Sequence, residues 1–368
     1  MTVTGAMEKA HRGEETTPLL QVRDLTVAFA QKRTVPWRAA GTVTAVQGLS
    51  LELDAGRTLG LVGESGSGKS TTARALLHLI RPAAGTITAA GFDVASFGRR
   101  VPIGYRRAVQ AVFQDPLGSL DPTHVIGDIV AEPLSIHFDM RGADRDRRVT
   151  ALLDQVGLAA HHTRRYPYEL SGGQRQRVAI AKALAVEPRL IILDEPVSAL
   201  DVSVQSQIIN LLEDVQEGTG VAYLFVAHDL AVVRHTSDDI AVMYRSRIVE
   251  TGPADRICER PAHPYTEALL AAVPDPDPAR QRVQRERRHR LRAAAADRAA
   301  GGPRQTAPAG TPGCPFVARC PHRMPVCTRS FPDWTPVAGG GRVACHLYAE
   351  VDRAEPGTGV TPEPEEQR

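Results

Sequence analysis

Residues Gly63-Glu64-Ser65-Gly66-Ser67-Gly68-Lys69-Ser70 satisfy G-x-x-x-x-G-K-[ST], between an apolar run, Thr58 to Val62, and a helical pattern, Thr71 to Leu79. Strand, glycine-rich turn and helix in that order commit this part of the chain to an α/β sheet with an anion site at the strand end. The glycines let backbone N–H groups curl around phosphate oxygens, and the helix points its positive end at the same anion. In such a loop, running from Gly63 to Thr71, Lys69 reaches the β and γ phosphates and Ser70 holds Mg²⁺. Of the 44 Lys and Arg residues only Lys9, Lys32, Lys69 and Lys182 are lysine, so a lysine at this position carries weight.

Two further apolar runs, Leu190 to Leu193 and Val221 to Val226, have the character of strands buried on both faces, with helical patterns between them. Between Pro116 and Leu170 the helical period takes over. Val149, Leu152, Leu153 and Val156 fall at i, i+3, i+4 and i+7, and Gly157 is the predicted stop. The fold expected is α/β: a P-loop NTPase sheet domain with an inserted helical subdomain at about 116–170, followed by a cysteine-bearing extension. At 368 residues the chain has room for both.

Charge argues against some partners. The 44 Lys and Arg residues against 42 Asp and Glu leave +2, too little for a field that would recruit nucleic acid or an anionic surface. No apolar run approaches the roughly 20 residues that cross a bilayer, and the opening MTVTGAMEKAHRGEETTP lacks a signal-peptide core. The expectation is a protein at the cytoplasmic face of the membrane, held there by partners.

The run Leu190 to Leu193 delivers Asp194 and Glu195 at its carboxyl end, where ligands sit in open α/β sheets. Asp194 suits the residue that orients the Mg²⁺ shell, and Glu195 the carboxylate that polarises an attacking water. The next strand ends in Ala227-His228-Asp229, placing His228 where it could sense the γ-phosphate. Leu170-Ser171-Gly172-Gly173-Gln174 precedes another helical pattern and makes a second anion site. One nucleotide does not need two such sites in one chain. The economical reading is that Ser171, Gly172, Gly173 and Gln174 cap the γ-phosphate of ATP held by another subunit, so function requires a dimer.

With these motifs in this order the chain resembles an ATP-binding-cassette (ABC) ATPase from about Leu19 to Gly252. The resemblance implies that Ser171 to Gln174 is the signature motif, Gln114 the Q-loop residue and a Mg²⁺ ligand beside Ser70 and Asp194, and His228 the switch histidine. It also makes Ser198-Ala199-Leu200-Asp201 the D-loop and Phe29 the aromatic that stacks on adenine, with Trp37 in the inserted segment QKRTVPWRAAG as a competitor. The stretches FQDPLGSLDP, EPVSALDVSVQSQIINLL and Pro261-Ala262-His263-Pro264-Tyr265-Thr266 resemble the dipeptide/oligopeptide importer subgroup. What this implies is import of short peptides or related solutes through two separate permease subunits, beside a second ATPase subunit, homologous or identical, and an extracellular solute-binding protein. The rival readings are a soluble ABC ATPase working on ribosomes or DNA, and the same transport class with a nickel chelate, a glycoside or an exported peptide as cargo.

Four of the five cysteines, Cys314, Cys320, Cys327 and Cys345, fall within a short C-terminal stretch. Four thiolates suit a [4Fe-4S] cluster or tetrahedral zinc; the spacings lack C-x2-C knuckles, and the resemblance favours the cluster. His322 and His346 keep zinc as one alternative, unligated thiols are the other, and Cys258 stands apart as a small buried side chain. The organisation expected is a disordered tail at 1–17, an ATPase domain at 18–255, a connecting extension and linker at 256–300, the four-cysteine module at 301–350 and a disordered tail at 351–368. The Arg-rich run at 282–292 reads as a solvated linker helix.

Overall fold

The structure, a computed structural model, describes residues 17–30, 42–272 and 312–349. Trp37, the Arg-rich run at 282–292 and the two expected tails, apart from Thr17, lie outside the described residues. In chain order, β1 (Leu20–Ala30), β2 (Thr42–Leu53) and β3 (Thr58–Val62) lead into α1 (Lys69–Leu76). Next come β4 (Ala84–Ala89), β5 (Phe92–Asp93), α2 (Ile103–Ala108) and β6 (Val109–Val112). Three helices follow, α3 (Pro116–Ser119), α4 (Ile126–Phe138) and α5 (Gly142–Gln155), and then α6 (Gly172–Leu184) returns to the sheet at β7 (Leu190–Asp194). The chain continues through α7 (Val202–Thr219), β8 (Ala222–Ala227), α8 (Leu230–Thr236), β9 (Asp239–Tyr244), β10 (Arg247–Pro253), α9 (Ala254–Glu259) and α10 (Pro264–Ala272). It finishes with β11 (Trp334–Pro336) and β12 (Arg342–Ala344).

The larger sheet runs β11-β12-β10-β9-β3-β8-β7-β6, and the smaller runs β2-β1-β4-β5. Within the larger sheet β6, β7, β8, β3 and β9 are parallel, while β10, β12 and β11 continue it antiparallel. The uninterrupted apolar runs of β7 and β8 have their reason here, because successive side chains enter two different cores. Ile191, Leu193, Tyr223 and Phe225 pack with the helices on one face; Leu190, Ile192, Leu224 and Val226 pack on the other with α1 and the smaller sheet.

On α5 the buried positions are Val149, Leu152 and Leu153, joined by Val156 at its end, and Gly157 stops the helix at φ +71°. That left-handed turn is one glycine adopts without steric cost. The stripe packs against α4 and α6, so the helical subdomain is anchored to the helix that leads into β7.

The C-terminal module docks by strand addition. β12 pairs antiparallel with β10, Glu250 opposite Val343 and Thr251 opposite Arg342. Cys314, Phe316 and Cys327 enter the core that holds Tyr244 and Tyr265. No helix among the described residues is long and apolar enough to cross a membrane.

Candidate active site

Register brings four strand ends to one edge. Val112 of β6 is opposite Leu193 of β7, Asp194 is opposite Val226 of β8, and Val62 of β3 is opposite Ala227. The residues that follow these strands therefore share one rim of the sheet, the position where α/β folds bind ligands.

The loop after β3 is held in a shape that needs its glycines. Gly66 and Gly68 sit at φ +77° and +111°, and a Cβ on Gly68 would lie 2.3 Å from the Ala45 carbonyl oxygen. A Cβ on Gly63 would lie 2.0 Å from the carbonyl oxygen of Met243. Lys69, buried, donates from Nζ to the carbonyls of Gly63 (2.7 Å) and Glu64 (3.1 Å). Burial pushes its pKa down, against the pull of the Glu195, Asp194 and Glu64 carboxylates. The hydroxyl of Ser67 is buried with no partner among the described residues, a polar atom left for a ligand of the loop.

Ser70, at the start of α1, donates its hydroxyl proton to Asp194 Oδ1 at 2.9 Å. Burial raises the Asp194 pKa while that hydrogen bond lowers it. A hydroxyl and a carboxylate in contact beside a phosphate loop are the oxygen donors a Mg²⁺ ion takes. Glu195 sits at φ +51°, an uncommon conformation for a residue with a Cβ. Its N–H donates to the Val226 carbonyl at 2.9 Å, which pins the turn to the end of β8. The turn aims the carboxylate at two neighbours: Gln114 Nε2 donates to Glu195 Oε2 at 3.1 Å, and His228 Nδ1 lies 3.5 Å from the same oxygen. Residues after β6, β7 and β8 thus meet at one carboxylate.

Other sequence-derived residues lie apart from this cluster. Ser171 and Gly172 are exposed at the N-terminus of α6, where the Ser171 hydroxyl accepts the Gln174 N–H (3.3 Å) and Gln174 Oε1 accepts the Ser171 N–H (3.0 Å). Gly173 is buried, and a Cβ there would lie 2.5 Å from Val204 Cγ1, so glycine lets α6 approach α7. Asp201 caps α7, accepting the Val204 N–H at 3.0 Å. Phe29 is 41% exposed on β1 opposite Val43, 39% exposed, which leaves an apolar face open rather than a core contact.

Three residues at or beside the rim were given no individual role from the sequence. Gln205 donates from Nε2 to the carbonyls of Val197 (2.9 Å) and Leu200 (3.0 Å), bracing the turn after Glu195. Tyr265 and Arg319 both contact Glu64 of the phosphate loop. The stretches holding Gln205 and Tyr265 stood out only as family-like strings, and nothing local marked Arg319.

The four C-terminal thiols line one cavity together with His263, Val317, His322 and His346. None of the five cysteines, all among the described residues, is in a disulfide. Burial pushes the Cys314 thiol up to about 12 and the Cys345 thiol up to about 11. Among the described residues, no three His, Cys, Asp or Glu side chains are gathered to hold a metal ion.

Residues 46–198 match the ABC transporter family model, and residues 249–327 match the model for the oligopeptide/dipeptide transporter C-terminal region. A probable peptide ABC transporter ATP-binding protein, y4tS, of Sinorhizobium fredii is 46% identical over 313 residues, 85% of this chain and 85% of that protein. The oligopeptide transport ATP-binding protein AppF of Bacillus subtilis is 42% identical over 333 residues, 90% of this chain and 98% of AppF. Among solved structures, the dimeric post-hydrolysis state of the ATP-binding cassette MJ0796 bound to ADP and Pi aligns with a TM-score of 0.56 at 26% identity, covering 64% of this chain and 98% of that one. The phosphate loop, the carboxylates beside it and these relatives agree: the chain belongs to the ABC transporter family and is one of its ATP-binding proteins, an ABC-type ATPase.

Proposed function

We propose that this ATPase powers import of short peptides or related solutes through a separate membrane permease. The observation that carries the hydrolytic part is the meeting of Gln114, Glu195 and His228 beside the Ser70–Asp194 pair at one sheet edge. The cargo class rests on y4tS and AppF, whose names place them in peptide and oligopeptide transport, and on the match of residues 249–327. The same relatives favour transport over work on ribosomes or DNA.

In this reading the phosphate loop from Gly63 to Thr71 cradles the triphosphate, Lys69 meets the β and γ phosphates, and Phe29 stacks on adenine. Ser70, Asp194 and Gln114 hold Mg²⁺, which when bound neutralises charge on the phosphates. Glu195 accepts a hydrogen bond from a water in line with the γ-phosphorus. The water oxygen bonds to that phosphorus as the bond to the β–γ bridging oxygen breaks, leaving ADP and phosphate. His228, beside the same carboxylate, donates to the γ-phosphate.

Ser171, Gly172, Gly173 and Gln174, with Asp201, complete the site of a second ATPase subunit, a homologue or another copy of this chain. Two permease subunits and, indirectly, an extracellular solute-binding protein make up the assembly at the cytoplasmic face of the membrane. The test is Glu195→Gln. It is expected to keep ATP affinity, accumulate an ATP-bound dimer on gel filtration, and lose about 10²- to 10⁴-fold in phosphate release. Undiminished turnover would remove Glu195 from its role.

For the cysteine cavity the reading is a [4Fe-4S] cluster, with zinc as the competitor. Four thiols around one mostly apolar cavity supply the donors such a centre takes. His263 supports the fit: it is 1% exposed, lines the cavity, and its Nε2 has no partner among the described residues. A buried N–H of that kind suits the sulfur of a bound cluster. Protein purified without oxygen is expected to carry iron and acid-labile sulfide with broad visible absorption. Zinc without iron would overturn the cluster, and neither metal would overturn both.

A further inference from the structure

The cysteine cavity and the phosphate loop are linked by two short chains of contacts that meet at Glu64. In the first, Arg319, adjacent to Cys320, donates from Nη1 to both carboxylate oxygens of Glu64 at 2.9 and 3.1 Å. The same nitrogen approaches the Tyr244 hydroxyl at 3.4 Å, and the guanidinium lies 5.5 Å from the Phe316 ring centroid and 5.8 Å from that of Tyr244. These rings fix where the arginine stands.

In the second chain the Tyr265 hydroxyl accepts the Glu64 N–H at 2.9 Å, and the Tyr265 N–H donates to His263 Nδ1 at 3.0 Å. Burial holds the imidazole neutral, its pKa pushed down to about 3, and Nδ1 accepts from Tyr265, so the ring proton is on Nε2 of a residue that lines the four-cysteine cavity. Tyr244, Tyr265 and Phe316 pack on one another with centroids 4.4 to 5.5 Å apart, joining the two chains into one unit.

We propose that Arg319 is a positioning residue of the phosphate loop, through which the state of the four-cysteine cavity sets the affinity of the nucleotide site. The proposal rests on the ATPase assignment and is independent of cargo. Its sign follows from charge. Glu64 places a carboxylate on the loop that must receive a triphosphate, and that carboxylate is felt at Lys69. Arg319 neutralises it through both carboxylate oxygens. Without Arg319 the carboxylate repels the ligand, and ATP binds more weakly. Whatever fixes Cys320 in the cavity also fixes the backbone that carries Arg319.

An ion pair this exposed, with both side chains near half accessible, contributes little to folding, so stability cannot be the readout. The test measures equilibrium binding of a fluorescent ATP analogue to the full chain, with steady-state ATPase kinetics beside it. Arg319→Ala is expected to raise Kd and KM about two- to fivefold, with kcat changing less. Arg319→Lys is expected to keep most of the affinity. Glu64→Gln added to Arg319→Ala is expected to restore it, because the repulsive charge is gone. Unchanged affinity in Arg319→Ala, or no restoration by Glu64→Gln, overturns the proposal; a merely structural contact gives no charge-specific rescue.

The coupling arm uses Cys320→Ser. It is expected to raise Kd in the otherwise native chain and to add nothing in Arg319→Ala. Equal shifts in both backgrounds, or none in the native one, overturn the coupling. Failure of the native chain to bind the analogue at all would instead sink the ATPase assignment, so the two failures are distinguishable.

Discussion

At the scale of single residues, what the sequence discloses is which groups arrive at the sheet edge, and what it hides is how they are turned. Asp194 and Glu195 are legible because the four aliphatics before them can only be a strand buried on both faces. The left-handed backbone of Glu195 is not legible, since no local signal asks a glutamate to adopt φ +51°. Such a conformation costs on the order of 1 kcal/mol and persists where surrounding contacts over-determine it, here the Val226 carbonyl and the Ser198 hydroxyl, which donates to the Glu195 carbonyl at 3.1 Å. The strain is spent on aiming the carboxylate at Gln114 and His228. The sequence also leaves two explanations open for Ser171 and Asp201. Both side chains cap helices, which is a sufficient structural reason for their identity, and both remain at exposed helix starts where a second subunit's phosphate could reach them. Arg319 lies at the far limit of legibility: 255 residues separate it from Glu64, and only the fold brings the pair together.

At the scale of elements, three buried strands are readable to within a residue: Thr58–Val62 coincides with β3, Leu190 to Leu193 gains Asp194, and Val221 to Val226 moves on by one; β9, as buried, is not among them. The strands β11 and β12 escape such reading because each is three residues long, too short to show a period. Their dock is organised by a polar group that hydropathy would place outside. Glu250 is fully buried on β10, where its carboxylate pairs with Arg256 and accepts the N–H groups of Ala262 (2.8 Å) and His263 (2.9 Å). Arg256, also buried, donates to the Thr251 carbonyl at 2.8 Å. This knot orients the segment leading to His263 and Tyr265. Arg256→Ala removes one partner and leaves a carboxylate uncompensated in the interior, at an expected cost of about 3–5 kcal/mol. Urea unfolding monitored by circular dichroism measures it. A loss below about 1 kcal/mol would mean that water reaches Glu250 and that the knot does not hold the module.

At the scale of the whole molecule, the chain carries a complete phosphate loop and, on a different helix, a serine and glycines that could serve a second anion. In the described structure the Ser171 to Gln174 turn is satisfied by its own capping box, while the loop beside β3 keeps an orphaned Ser67 hydroxyl. If the two sites work only across a dimer, two kinds of damage must complement one another. Ser171→Arg blocks the surface that a partner's nucleotide would meet and gives up a helix cap worth about 1 kcal/mol, yet leaves its own phosphate loop untouched. Alone it is expected to bind ATP normally and to lose turnover. Glu195→Gln alone binds ATP and loses turnover for the opposite reason. Where the chain pairs with itself, a mixed dimer of the two variants contains one site damaged twice and one built from an intact loop with Glu195 and an intact Ser171. Phosphate release from an equimolar mixture is therefore expected to rise above the sum of the separate variants, and to follow the population of mixed dimers as the ratio is varied. A strictly additive mixture, with Ser171→Arg fully active by itself, would mean that each chain hydrolyses ATP unaided and that the turn at Ser171 is a helix cap and nothing more.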